Sequence, residues 1–84
     1  MFERGMVVRS LAGRDSGYLL AVVRADENRV LVCDGKERPL DRPKIKNIRH
    51  VEPVNVILDE YDMRGNRALK KALACVKAEI DCND

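Results

Sequence analysis

The chain has 84 residues, 45% of them hydrophobic and 36% charged, with a formal net charge of +2. That length supports one hydrophobic core, because a second core of half the size could not bury enough apolar surface to offset the entropy of ordering its own chain. No run approaches the ~18 apolar residues of a membrane-spanning helix, so a helical membrane protein is excluded.

In chain order, Met6-Val7-Val8-Arg9-Ser10 is a β-branched run stopped by Leu11, Ala12 and Gly13, and it predicts a first strand. Residues 18–25, richer in Leu and Val, predict a second. The polar turn Asp26-Glu27-Asn28-Arg29 leads into Val30-Leu31-Val32-Cys33, closed by Asp34-Gly35, so the second and third strands form a predicted hairpin. Residues 36–47 carry Pro39 and Pro43, which remove ladder donors, and this stretch is expected to be an irregular, exposed connection. Ile48-Arg49-His50-Val51-Glu52 resumes an alternating pattern, and Val54-Asn55-Val56-Ile57-Leu58 continues it after Pro53 as a bent or edge strand. From residue 66 to 81 the period becomes helical, with Leu69, Ala72, Leu73, Val76 and Ile80 forming one apolar stripe and Arg67, Lys70, Lys71 and Lys77 mostly on the other side. Asn66 is the candidate N-cap, with Gly65 and Asp62 competing for the boundary.

Charge is unevenly spread. Between residues 36 and 50 stand Lys36, Arg38, Arg42, Lys44, Lys46 and Arg49 against Glu37 and Asp41, a surplus of four that exceeds the +2 of the whole chain. The remainder is therefore net negative, and the asymmetry predicts one basic surface. The cysteines, Cys33, Cys75 and Cys82, are odd in number and widely spaced, which fits neither a disulfide framework nor the paired cysteines of a zinc ribbon. They are expected to be reduced thiols that bind no metal. Residues 1–5 lack the basic-then-apolar anatomy of a secretory signal, from which a cytoplasmic location is expected.

The segment Gly5-Met6-Val7-Val8-Arg9-Ser10-Leu11-Ala12-Gly13-Arg14-Asp15-Ser16-Gly17-Tyr18, followed by residues 19–23, resembles the KOW motif, a strand, glycine-bearing loop and strand unit. The likeness extends through Val30-Leu31-Val32-Cys33-Asp34-Gly35 and Lys44-Ile45-Lys46-Asn47-Ile48-Arg49-His50-Val51, so it covers roughly residues 4–52. In that longer form the chain is similar to the e-type KOW ribosomal proteins of the large subunit, and most of all to their free-standing bacterial counterparts. The resemblance implies a small SH3-like barrel, placed over residues 1–58. Residues 59–84 lie outside the motif and are expected from their period to form a linker and a C-terminal amphipathic helix packed on the barrel, which makes the expected fold mainly β. It also implies RNA binding at the ribosome, with ribosomal RNA as the ligand, ribosomal proteins as neighbours, no cofactor, and a monomeric protein of the translation machinery. Physically, Gly13 and Gly17 allow a tight turn with positive φ and bring backbone amides near a phosphate, while Arg14 projects from the loop tip.

Arg9, Arg14, Lys36, Arg38, Lys44, Lys46 and Arg49 are the candidate phosphate contacts, since paired loops of a small barrel can set basic clusters along one backbone track. Asn47 and His50 flank Arg49 and are candidates for sugar hydroxyls or base edges; equally, Asn47 can fix a turn and His50 can satisfy a strand end. Only Phe2, Tyr18 and Tyr61 are aromatic. Single-strand readers rely on stacked bases, so folded or duplex RNA, read through backbone and shape, is the favoured ligand class. Tyr18 itself is assigned to the core or the barrel rim. Catalysis is not expected, because His50 is the sole histidine and no motif brings it to a cysteine. Asp59-Glu60-Tyr61-Asp62 lacks the spaced ligands and glycine of a calcium loop. The rival reading is a protein-interaction module of a transcription or translation complex, working through the helix stripe or a sheet edge.

Overall fold

The computed structural model describes residues 1–82; the last two residues of the expected segment 59–84 lie outside the described residues. Five strands, β1 (Met6–Ser10), β2 (Leu19–Ala25), β3 (Arg29–Cys33), β4 (Lys44–Asn47) and β5 (Val51–Ile57), precede one helix, α1 (Asn66–Cys82). The strands form a single antiparallel sheet in the order β4-β3-β2-β1-β5.

The first three strands match the predicted runs because β-branched residues alternate there between two buried faces. Val7, Ala21 and Cys33 face α1, packing with Leu58, Met63, Leu69, Leu73 and Val76. Val8, Leu20, Val22, Val30, Val32 and Val51 face the opposite way and pack with Phe2, Met6, Ala25 and Ile48. No residue of α1 joins this second cluster, so the sheet must cover it by curling on itself. Chain geometry requires the same. Residues 47 and 51, which end β4 and begin β5, are four residues apart and can be at most about 14 Å from each other. In a flat sheet those edge strands would stand four inter-strand steps, roughly 19 Å, apart. Irregularities between Met6 and Val8 and between Val22 and Arg24 supply the bend. The curl stops short of closure: β4 and β5 are the two edges of an open sheet and do not pair with each other.

Two elements differ from expectation. Residues 44–47, assigned to an irregular connection, form β4, paired from Val32↔Lys44 to Arg29↔Asn47. Pro39 and Pro43 both precede the strand, so neither costs it a ladder bond. Ile48–His50, expected to be strand, is one turn of 3₁₀ helix, because the Asn47 side chain accepts the Arg49 amide at 2.9 Å and turns the chain. Strand β5 runs through Pro53, which is tolerated because β5 is an edge. At the start of α1, Leu69 donates to the Gly65 carbonyl at 3.0 Å, which makes Gly65 the cap. Asn66 instead accepts the Leu40 amide at 2.7 Å, tying the β3–β4 connection to the helix. Gly35 lies against the Asn66 carbonyl at φ +80°, an approach that leaves no room for a Cβ. The predicted stripe holds: Leu69, Leu73 and Val76 are buried, with Ala72 and Ile80 packed beside them.

Candidate nucleic-acid interface

Antiparallel order sends alternate connections to the same end of a sheet. Residues 11–18, between β1 and β2, and residues 34–43, between β3 and β4, therefore leave from one end, where β5 also begins opposite Ser10. The Leu11 amide donates to the His50 carbonyl at 2.8 Å, which brings the 3₁₀ turn to the first of these loops. Arg14, Lys36, Arg38 and Lys44 thus rise from neighbouring segments at this end, and Arg42, outside the predicted set, joins them. Arg49 and His50 lie on the 3₁₀ turn, which starts at the far end of β4, where the Ile48 amide donates to the Asn28 carbonyl at 3.0 Å, and reaches the first loop at His50.

Both loops are anchored from within. In the first, Gly13 and Gly17 have φ of +89°, as the predicted tight turn requires, and the Gly17 amide returns to the Ser10 carbonyl at 2.7 Å. Asp15 turns inward, accepting from the Ser10 hydroxyl at 2.7 Å and meeting the Lys46 amine at 3.0 Å and the Lys44 amine at 3.8 Å. Burial pushes its carboxyl up, but the Ser10 and Lys46 hydrogen bonds and the two lysine charges outweigh that, and the net displacement is downward. In the second loop, one Asp34 oxygen accepts the amides of Lys36 and Arg38 at 2.8 and 2.9 Å, closing a tight turn at the end of β3.

Lys46 departs most from the sequence reading. Its pairing with Val30 turns it into the curled face, where only 7% of the residue is exposed. The amine donates to the Ala12 carbonyl at 3.0 Å and pairs with Asp15 at 3.0 Å. This lysine is an internal strut of the Gly13 loop rather than an exposed cation. Lys44 is half-buried beside the same carboxylate, so its charge is partly spent there. Arg9, on the face toward α1, holds Glu52 at 3.4 Å, both exposed enough for water to compete. Asn47 spends its amide oxygen on the turn, the structural alternative raised for it. Arg14, Lys36, Arg38, Arg42 and Arg49 are exposed and make no ion pair among the described residues.

Three residues of this region were given other roles by the sequence. Tyr18 is 61% exposed at the rim beside β2. With Lys70 and Lys77 of α1 it lines a groove that also takes in Arg9 and Lys36. The spacing of Lys70 and Lys77, seven residues and two helical turns, was the available signal that they share a flank. Cys33 is buried, and burial, with the Asp34 charge adding to it, pushes its thiol up to about 11. At neutral pH it is a protonated core residue and no nucleophile.

No family model matches the chain, and no curated protein matches it.

Proposed function

We propose that this protein is a non-catalytic RNA-binding module of the KOW type, an SH3-like barrel left open at one seam, that grips folded RNA through its basic end, with ribosomal RNA as the first candidate ligand. The observation that carries the reading is the grouping of Arg14, Lys36, Arg38, Arg42 and Arg49 on two internally braced loops at one end of the sheet and on the 3₁₀ turn that reaches the first of them. Asp15 and Asp34 are turned to internal bonds, so they oppose an approaching phosphate less than a charge count implies, while the exposed Glu37 and Asp41 beside Lys36, Arg38 and Arg42 offset part of the second loop's charge. Five neutralised phosphates correspond to a log–log salt slope of about −3.5 to −4.5.

The test is fluorescence anisotropy with a structured RNA across a salt series, comparing the wild type with the triple variant Arg14→Ala, Arg38→Ala and Arg49→Ala. The triple variant is expected to keep its far-ultraviolet dichroism and to lose about two to three units of slope. Wild-type affinity in low salt that the variant retains in full would end the proposal.

A second reading has one observation in its favour. Ile45 is 59% exposed on the open edge strand β4, beside the half-buried Leu31 of β3. An exposed apolar edge is a surface to which a partner protein can add a strand. Salt-insensitive co-sedimentation with a protein partner, abolished by Ile45→Lys and unaffected by the triple variant, would favour this reading over RNA.

A further inference from the structure

The helix lies outside the motif-like segment, yet one of its flanks completes a groove. The cleft has a volume of about 430 Å³ and runs between α1 and the rim of the sheet, inside the ~300–1,000 Å³ range of small-ligand sites. Leu19, Leu73 and Ile80 line it as an apolar floor, and the exposed Tyr18 ring stands at its side. Arg9, Lys36, Lys70 and Lys77 supply cations. Two carboxylates also line it, and both are engaged: Asp34 holds backbone amides at 2.8 and 2.9 Å, and Asp81 holds Lys77 at 2.9 Å. The groove therefore pairs a flat apolar and aromatic lining with a cationic rim.

A second groove, of about 470 Å³, follows the other flank of α1 and supplies a comparison. There the Tyr61 face is already covered by the Arg64 guanidinium, 3.6 Å from the ring centre. Asp62 and Glu79 stand against Arg64 and Lys71, so no cationic surplus remains. Of the two, only the Tyr18 groove offers an uncovered ring together with a surplus of positive charge.

We propose that the Tyr18 groove receives a single unpaired nucleotide of the bound RNA, its base on Tyr18 and the apolar floor and its phosphate near Arg9, Lys36 and Lys70. This rests on the RNA-binding reading and deepens it. The basic loops hold backbone, and the groove selects a helix that carries an extruded base. The chemistry matches: a base presents an apolar face that any aromatic ring can stack, and the adjoining phosphate supplies the anion that the cations seek. Lys36 belongs to both surfaces, so a duplex gripped by the loops brings its neighbouring nucleotides to the groove.

The experiment uses two RNA hairpins identical but for one bulged adenosine, with the whole protein and with Tyr18→Ala, Tyr18→Phe and Lys70→Ala. Stacking of one base corresponds to about a tenfold preference for the bulged hairpin. The wild type and Tyr18→Phe are expected to show it, Tyr18→Ala to lose most of it, and Lys70→Ala to reduce it, while affinity for the perfect hairpin stays within about twofold throughout. Equal wild-type affinity for both hairpins, or a preference that survives Tyr18→Ala, overturns the groove and leaves RNA binding standing. Failure to bind either hairpin at low salt overturns both.

Discussion

Replacing Lys46 with Met removes the ammonium and keeps most of the apolar stem, so the variant isolates the charge. The Lys46 and Asp15 side chains are 6% and 16% exposed, and their 3.0 Å contact sits beneath the Gly13 loop. Breaking a fully buried pair from one side costs about 3–5 kcal/mol, because the remaining charge is stranded. Here Asp15 keeps the Ser10 hydroxyl at 2.7 Å, Lys44 at 3.8 Å and a little solvent, which lowers the figure to about 2–3 kcal/mol. For a domain of this size that is a fall in melting temperature of roughly 10–20 °C. Arg14→Ala, at the exposed tip of the same loop, is expected to stay within about 0.5 kcal/mol of wild type. Urea denaturation followed by circular dichroism measures both. The double variant Lys46→Met/Asp15→Asn, which leaves only the partly exposed Lys44 without its carboxylate, should recover at least ~1 kcal/mol relative to the sum of the single effects. If Lys46→Met proves as neutral as Arg14→Ala, the lysine is a surface cation and the strut does not exist.

The same carboxylate sets an acid limit. The Asp15 value is lowered in the folded state, so its stabilisation is complete above the unfolded value of about 3.9 and is lost as pH falls below that through the folded value. Melting temperature should therefore drop more steeply below pH ~4 in the wild type than in Asp15→Asn. Gly35→Ala places a Cβ against the Asn66 carbonyl at a left-handed φ and should destabilise by about 1–3 kcal/mol in the same urea assay, whereas Gly65→Ala meets open space. Thiol titration at pH 7.5 should find Cys75 and Cys82, both exposed, reacting within minutes, and Cys33 only after denaturant is added.

Strands β1 to β3 and α1 were legible because local pattern and final environment agree there: β-branched runs bounded by Gly and Asp, and an apolar stripe of helical period. Strand β4 was hidden because its two prolines read as interruptions of a strand that begins only after them. Its inversion was hidden more deeply. In Lys44-Ile45-Lys46 alternation assigns the isoleucine inward, yet the register with β3 leaves Ile45 out and turns Lys46 in. That choice is stabilised by Ser10, Ala12 and Asp15, more than thirty residues earlier in the chain, which no local window contains. The grouping of Tyr18, Lys70 and Lys77 likewise depends on where α1 docks, a packing result that periodicity alone does not specify. The basic end was legible in composition, though its membership changed.

That change alters what a substitution at each lysine or arginine reads out. Lys46 and Asp15 leave the surface as a pair, one cation and one anion, so the double variant Lys46→Met/Asp15→Asn does not change the net charge. What it removes is the brace that holds Arg14 in place for the proposed RNA contact, and a loop that must be ordered on binding subtracts that ordering from the affinity. The double variant is thus expected to bind structured RNA more weakly with an unchanged salt slope. Arg14→Ala is expected to reduce the slope by about 0.7–0.9. Anisotropy titrations between low and physiological salt separate the two effects. A slope reduced by both substitutions alike would mean that the Lys46 amine meets phosphate directly, and the buried strut beneath the Gly13 loop would have to be abandoned.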